Sequence, residues 1–220
     1  HDPTLDRTTD GRGPVAAHTA AELRQFDAGY RFTPDGGVTF PFRGQGIAIP
    51  TLREVLTAFP DMRVNVELKE NRPEGEQALW QLVRELGAED RVLVASNYPA
   101  AIARFRALCA GQMATSACAA EVRTFVLAAL SRTTHWLHPT YDVLQVPETW
   151  RALRIVSPTT ITQAHHLGLA VHVWTVDDRA QMDRLLAWGV DGIMTDRPDL
   201  LAEALAAARG GAAASAGPGD

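Results

Sequence analysis

Residues 62–69 are Met-Arg-Val-Asn-Val-Glu-Leu-Lys, an unbroken alternation of apolar and polar side chains. A period of two is typical of a β-strand with one apolar and one polar face, and the two valines favour that backbone. Glu67 and Lys69 fall at the carboxyl end of the predicted strand, where α/β folds carry their chemistry. The same charges also fit a solvated sheet edge, where exposed ion pairs contribute little to stability.

Lys69 stands out by its residue type. It is the only lysine in the chain, and the other 20 of the 21 basic Lys and Arg residues are arginines. A compact ammonium contacts an anion differently from a planar guanidinium. This single exception therefore favours a functional position over a solvated edge.

The rest of the chain repeats a strand–helix pattern around this stretch. Six strands alternate with helices, which is typical of parallel βα units. Both a doubly wound sheet and a (β/α)₈ barrel fit, but no Gly-rich nucleotide motif follows a strand, so the pattern favours an incomplete barrel. The predicted strands are 62–69, 91–96, 112–116, 142–146, 170–176 and 190–195, and the predicted helices between and after them are 74–86, 99–110, 121–130, 160–167, 178–188 and 198–209.

The first fifty residues are different, because they are rich in Gly, Pro and Asp and form mostly turns. Within them, only residues 18–29 predict a short helix, which begins with a capping box formed by Thr19 and Glu22. A second capping box, Thr51 with Glu54, predicts a helix that ends before Pro60. A long irregular segment in a compact domain usually serves a function.

Composition excludes several classes of protein. The formal net charge of -5 lacks the basic footprint of a nucleic-acid-binding protein. No apolar run approaches the roughly 20 residues of a membrane span. Cys109 and Cys118 have no second pair of cysteines, so neither a disulfide framework nor a zinc site is indicated. Because the chain begins at His1 rather than Met, we expect it to be a cut form, and the expected compartment is the cytoplasm.

Several side chains at predicted strand ends have the chemistry of a catalytic site. A carboxylate such as Glu67 is a ligand for a hard cation, and the ammonium of Lys69 suits a phosphate. His1 can transfer a proton near neutral pH, and Trp174 can form the wall of a small pocket. Trp174 equally fits a core aromatic. Among the other histidines, His135 and His138 fit structural positions, and His165 and His166 fit a solvated helix end.

Five stretches, taken in order, resemble the signature of the glycerophosphodiester phosphodiesterase family. They span nearly the whole chain: residues 1–11 (His-Asp-Pro-Thr-Leu-Asp-Arg-Thr-Thr-Asp-Gly), 49–52 (Ile-Pro-Thr-Leu), 67–69 (Glu-Leu-Lys), 174–177 (Trp-Thr-Val-Asp) and 189–198 (Gly-Val-Asp-Gly-Ile-Met-Thr-Asp-Arg-Pro). The resemblance implies a (β/α)₈ barrel with an excursion after the second strand, which would explain the irregular opening.

The resemblance also implies roles for individual residues. His1 matches the second of two catalytic histidines, and Glu67 matches the third carboxylate around a divalent cation, Ca²⁺ or Mg²⁺. Lys69 matches a residue near the phosphate, and Trp174 matches a pocket wall near the glycerol. The expected reaction is hydrolysis of a small-molecule glycerophosphodiester to glycerol 3-phosphate and an alcohol, with His1 as the acid on the leaving alcohol.

The family's His-Arg-Gly and Glu-x-Asp motifs would precede His1, so we expect a barrel domain at residues 1–209 that lacks its first strands, followed by a flexible tail at 210–220. Such a piece is expected to be inactive and poorly soluble alone. Two alternatives remain at this point: a phospholipase D-type reaction on lysophospholipids, and a barrel that binds without catalysis. The oligomeric state is left open.

Overall fold

The computed structural model describes residues 2–215, with side chains described for residues 2–209. The chain divides into two compact units, residues 1–62 and residues 63–220. The first unit contains the helices α1 (Ala20–Leu23) and α2 (Leu52–Ala58) and a short 3₁₀ helix at Val15–Ala17. Both predicted capping boxes are present, at Thr19 with Glu22 and at Thr51 with Glu54.

Side-chain bonds to the backbone of turns help to hold the first unit. The carboxylate of Asp27 accepts the N–H groups of Gly29 (2.8 Å) and Gly44 (2.7 Å), and the N–H of Asp27 donates to Asp10 Oδ1 (2.8 Å). The prediction of a helix that closes near Gly29 is therefore wrong in its length, since α1 ends at Leu23. A contact with Asp10, 17 residues away, takes the N–H that a longer helix would need.

The second unit alternates strands and helices as the sequence predicts. Its elements are β1 (Val64–Glu67), α3 (Pro73–Glu85), β2 (Val92–Ala95), α4 (Pro99–Cys109), β3 (Ala114–Thr115), α5 (Ala119–Ser131), β4 (Val143–Val146), β5 (Thr149–Trp150), β6 (Leu153–Arg154), α6 (Pro158–His166), β7 (Ala170–Val173), α7 (Arg179–Trp188), β8 (Gly192–Ile193) and α8 (Pro198–Ser215), with 3₁₀ helices at Glu89–Arg91 and Thr134–Trp136.

Six of these strands are parallel and follow one another in chain order. One sheet has the order β1-β2-β3 and a second has the order β4-β7-β8. A parallel bridge between Ser116 and Val143 joins β3 to β4. A doubly wound sheet needs a point where the strand order reverses, and the described strands contain none. The predicted α/β class, with parallel strands in the order of a (β/α)₈ barrel, is therefore confirmed.

Two parts of the second unit differ from the prediction. The antiparallel pair β5–β6 was not predicted, because strands of two residues are too short for an alternating pattern to be recognised. The last helix runs to Ser215 rather than ending near Arg209.

The core of the second unit lies between the strands β4 and β7 and the helices α5 to α8. Side chains alternate along β7: Val171 and Val173 are buried in this core, while His172 lies on the other face of the strand. Asp178 is the N-cap of α7, and its carboxylate accepts the Gln181 N–H (2.8 Å). Gly189 is the C-cap of the same helix, with a φ of 88°. This packing leaves the carboxyl ends of the parallel strands free to carry functional side chains.

Candidate active site

β1 brings two of the predicted site residues into direct contact. Glu67 is the last residue of β1, and Lys69 follows in the turn before α3. The Lys69 ammonium lies 2.6 Å from Glu67 Oε2, and the two side chains are 43% and 32% exposed. Burial alternates along β1 as predicted, since Val64 and Val66 are partly buried while Asn65 and Glu67 are exposed. The pair is therefore an accessible cation and carboxylate at a strand end.

Two side chains of the loop after β2, the strand next to β1, contact the segment that carries this pair. Asn97 Nδ2 donates to Glu67 Oε1 (3.3 Å), so both oxygens of that carboxylate have a partner. Ser96 Oγ donates to the carbonyl of Leu68 (2.9 Å), the residue between Glu67 and Lys69. Sequence reasoning missed both residues. The available signal was a pair of polar residues directly after the apolar strand β2.

Trp174 follows β7 at the same carboxyl-end edge of the parallel strands. Its side chain is 44% exposed, which excludes the alternative of a core aromatic. Its backbone N–H donates to the Val146 carbonyl (3.1 Å), which fixes the backbone against β4. The next loop is fixed as well, because Asp177 Oδ1 accepts Thr195 Oγ1 (2.9 Å) and the Asp196 N–H (2.8 Å). Trp174 is thus an exposed indole on a well-anchored segment.

His172 lies against the neighbouring strand β8, directly over a glycine. A side chain at Gly192 would place Cβ only 2.6 Å from His172 Cδ2, so the imidazole occupies the space that a larger residue would need. The strand register pairs His172 with Gln145 on one side and with Gly192 on the other. Burial lowers the pKa of His172, and the nearby charge of Asp191 offsets this only in part. The imidazole is therefore favoured in its neutral form.

Two further histidines, His165 and His135, make contacts outside the strand-end edge. His165 Nε2 lies 2.8 Å from Asp191 Oδ2, a contact between the end of α6 and the segment before β8. Burial would raise the pKa of Asp191, but the Val171 N–H and His165 outweigh it and hold that pKa below its ordinary value. His135 contacts the ring of its neighbour Trp136. These contacts fit structural positions.

His1 lies outside the described residues, so its predicted role stays a prediction. Among residues 2–215, no group of three or more His, Cys, Asp or Glu side chains is arranged to hold a metal ion. Glu67 is one carboxylate with suitable oxygen donors, which alone is far from the six to eight oxygens that Ca²⁺ prefers. The described residues thus supply at most a part of a cation site.

The chemistry of this edge suits a small anionic ligand with polar groups. An accessible ammonium attracts a phosphate, a carboxylate and an amide accept or donate hydrogen bonds, and an indole packs against a short carbon chain.

Within residues 2–215, no helix has both the length and the apolar composition needed to cross a bilayer.

Comparisons with known proteins point to one family. Residues 1–200 match the model of the glycerophosphoryl diester phosphodiesterase family. The chain is 34% identical over 167 residues to a probable glycerophosphodiester phosphodiesterase 2 from Mycobacterium tuberculosis, covering 74% of this chain but only 62% of that relative. It is 31% identical over 216 residues to a glycerophosphodiester phosphodiesterase from Caldanaerobacter subterraneus subsp. tengcongensis, covering 91% of this chain and 76% of that one.

A solved structure gives the same result for the fold. The crystal structure of a glycerophosphodiester phosphodiesterase from Agrobacterium tumefaciens superimposes with a TM-score of 0.70 at 26% identity. The match covers 94% of this chain and 79% of that chain. Together with the match of residues 1–200 to the family model, the similarity therefore extends over both compact units.

Proposed function

Since the chain belongs to the glycerophosphoryl diester phosphodiesterase family, we propose that the protein hydrolyses a small-molecule glycerophosphodiester to glycerol 3-phosphate and an alcohol. The observation that carries the proposal is the contact of Lys69 with Glu67 at the carboxyl end of β1. This is the edge of a (β/α)₈ fold where catalytic groups are found. The names of the similar proteins support the same reaction.

In the proposed reaction, a water oxygen bonds to phosphorus and the bond from phosphorus to the alcohol oxygen breaks. The attacking water loses a proton to a base or to bulk water, and the leaving oxygen takes one up, with His1 as the proposed donor. Negative charge on the phosphoryl oxygens grows as the water attacks, and the Lys69 ammonium stabilises it electrostatically. Trp174 is proposed to pack against the glycerol carbons, because its indole is exposed at the same edge.

We also propose that the reaction depends on Ca²⁺ or Mg²⁺ and that Glu67 supplies one ligand oxygen. The donor chemistry supports this, since hard divalent cations take carboxylate oxygens. Further ligands would come from water or from outside the described residues, because residues 2–215 contain no cluster of three suitable side chains. When bound, such an ion neutralises non-bridging phosphate oxygens.

The proposal is tested by release of glycerol 3-phosphate from glycerophosphocholine by the complete protein, with lysophosphatidylcholine as a second substrate. We expect release from the first substrate, its loss on chelation and its return with Ca²⁺ or Mg²⁺. Glu67→Gln should lose most of the activity that added metal restores. Arg63→Ala is the matched control, since Arg63 is a cation just before β1, at its opposite end.

The outcomes separate the parts of this proposal. Full activity in excess chelator would contradict the dependence on a metal ion but not the hydrolysis. An inability to cleave either substrate, with metal present, would contradict hydrolysis and favour a barrel that only binds.

A further inference from the structure

The turn that carries Lys69 is fastened to a neighbouring helix by an asparagine. Asn71 lies two residues after Lys69 and just before α3. Its side-chain oxygen, Oδ1, accepts a hydrogen bond of 2.7 Å from Arg104 Nη2 on α4. On the other side of Lys69, the Leu68 carbonyl accepts the bond from Ser96 Oγ described above. Lys69 therefore lies between two points at which tertiary contacts hold the turn.

Arg104 is itself held by a buried carboxylate. Its Nε and Nη2 atoms each lie 2.6 Å from an oxygen of Glu76, which belongs to α3. The Glu76 side chain is only 1% exposed. A buried carboxylate without a partner is strongly destabilising, so this bidentate pair has to persist in the folded protein. The paired nitrogens fix the plane of the guanidinium, and with it the direction of the bond to Asn71.

We propose that Arg104 and Asn71 are positioning residues for Lys69, an inference that rests on the proposed hydrolysis. The buried Glu76 orients Arg104, Arg104 holds Asn71, and Asn71 fixes the turn from which the Lys69 ammonium reaches the phosphate. A lysine side chain has many rotamers, and a mobile backbone adds to that freedom. Fixing the turn in advance keeps the ammonium near the place where charge develops, which favours the reaction.

A purely structural role for the same contacts is the alternative. The pair of Arg104 and Glu76 joins α3 to α4, and that tie would stabilise the unit whatever Lys69 does. Asn71 separates the two roles. Its bond to Arg104 is at the surface, so its loss leaves the buried pair intact and should change stability little.

The test therefore uses Asn71→Ala in the complete protein. We expect kcat/KM for glycerophosphocholine to fall about tenfold, a loss typical of misplacement rather than of a missing group. Amide hydrogen exchange at Leu68 and Gly75, whose N–H groups donate to the carbonyls of Ala95 (2.8 Å) and Arg72 (3.0 Å), should become faster, while the melting temperature changes by less than about 2 °C. Asn71→Asp should keep the exchange rates of the wild type, because its carboxylate accepts the same bond from Arg104.

Thr140→Val is the matched control. Arg106, on the same helix as Arg104, is likewise paired with a carboxylate, Glu121 at 2.6 Å, and also donates to Thr140 Oγ1 (3.4 Å). Thr140 precedes β4 and has no bond to the Lys69 turn, so this variant should retain wild-type rate and exchange.

The outcomes are distinct from those of the proposed function. An unchanged rate or unchanged exchange in Asn71→Ala would overturn the inference. If the wild-type protein cleaves no glycerophosphodiester, the proposed function fails instead, and the exchange comparison still decides whether Asn71 holds the turn.

Discussion

Lys69 differs from the other basic residues of the chain in its residue type. The arginines at positions 104, 106 and 184 pair with carboxylates in or beside the core. The ammonium of Lys69 pairs instead with the more exposed carboxylate of Glu67 at a strand end. A compact ammonium with rotatable N–H donors adapts to a crowded phosphate, whereas a guanidinium needs a planar arrangement of acceptors.

Lys69→Arg is predicted to lower kcat/KM by about tenfold or more, equal to roughly 1.4 kcal/mol of transition-state stabilisation. The charge is kept, so the loss of rate would come from the planar geometry of the guanidinium. Steady-state kinetics with glycerophosphocholine measure it, and Arg63→Lys serves as the reverse exchange within the same stretch of sequence. Wild-type kinetics in Lys69→Arg would show that Lys69 is only a surface charge.

Gly192→Ala is predicted to destabilise the protein by about 1–3 kcal/mol, because overpacking forces the neighbouring groups apart. The added Cβ would lie 2.6 Å from Cδ2 and 3.0 Å from Cγ of His172, which are ring atoms with little room to move. Urea unfolding measures the change in the free energy of unfolding. Combining Gly192→Ala with His172→Ala should recover much of the loss.

Gly75→Ala is the control for that substitution. Gly75 lies within α3 and has open space where its Cβ would be, so alanine should stabilise the helix by up to about 1 kcal/mol. Equal changes in the free energy of unfolding for Gly192→Ala and Gly75→Ala would mean that the close contact of His172 with β8 does not affect stability.

At the scale of single elements, polar contacts between neighbouring loops matter as much as the strands. β1 is four residues long, and the segment after it is held by Ser96 and Asn97 from the next loop. The Asp177 carboxylate joins the loops after β7 and β8 in the same way. Short strands set the direction of the backbone, and these contacts set where the functional side chains lie.

The capping box of α2 is predicted to give the first unit a dependence on acid. Glu54 accepts bonds from Arg24, and from the backbone and hydroxyl of Thr51, and these lower its pKa from the ordinary 4.5 to about 2. The stabilisation is complete above the ordinary pKa and is lost as the pH falls towards the folded pKa, because protonation removes the charge that these donors bind.

An acid titration compared between the wild type and Glu54→Gln checks this prediction. Glutamine keeps an oxygen for the cap but does not ionise, so amide exchange in α2 should depend less on pH over that interval. Since the Glu54 side chain is exposed, high salt should weaken the difference. Identical acid titrations of the two proteins would contradict the prediction.

At the scale of the whole second unit, one junction joins the two three-stranded sheets. Asp142 carries it: its N–H donates to the Thr115 carbonyl (2.9 Å), and its carboxylate accepts the Thr115 N–H (2.8 Å). Thr115 is almost fully buried, at 2% exposed. The Asp142 carboxylate therefore supports this junction beside two backbone bonds, the one from its own N–H and one from the Ala117 N–H to the Val143 carbonyl (2.8 Å).

Asp142→Ala is predicted to lower the free energy of unfolding by about 1–2 kcal/mol, because a buried amide loses its acceptor. Asp142→Asn keeps an oxygen in the same place and should be nearly neutral. Urea unfolding gives the free energy, and exchange of the Thr115 amide reports the junction directly. Slow exchange at Thr115 in Asp142→Ala would show that another group satisfies this N–H.

The sequence by itself determined the class of fold and the place of the chemistry. Alternation at residues 62–69, the capping boxes and the recurring strand–helix pattern are local signals, and local backbone preferences decide them. The same stretch identified Glu67 and Lys69, which the structure places 2.6 Å apart. Their contact was accessible to sequence reasoning because they are two residues apart at one strand end.

Only the tertiary structure decided which distant residues support that site. Asn97 is 30 residues from Glu67, and Arg104 is 33 from Asn71, so no local pattern links them. The same reason explains the early end of α1, where Asp10 binds Asp27 across 17 residues. Hydrogen bonds between distant side chains depend on how the elements pack, and that packing is the property of the fold that a single sequence does not display.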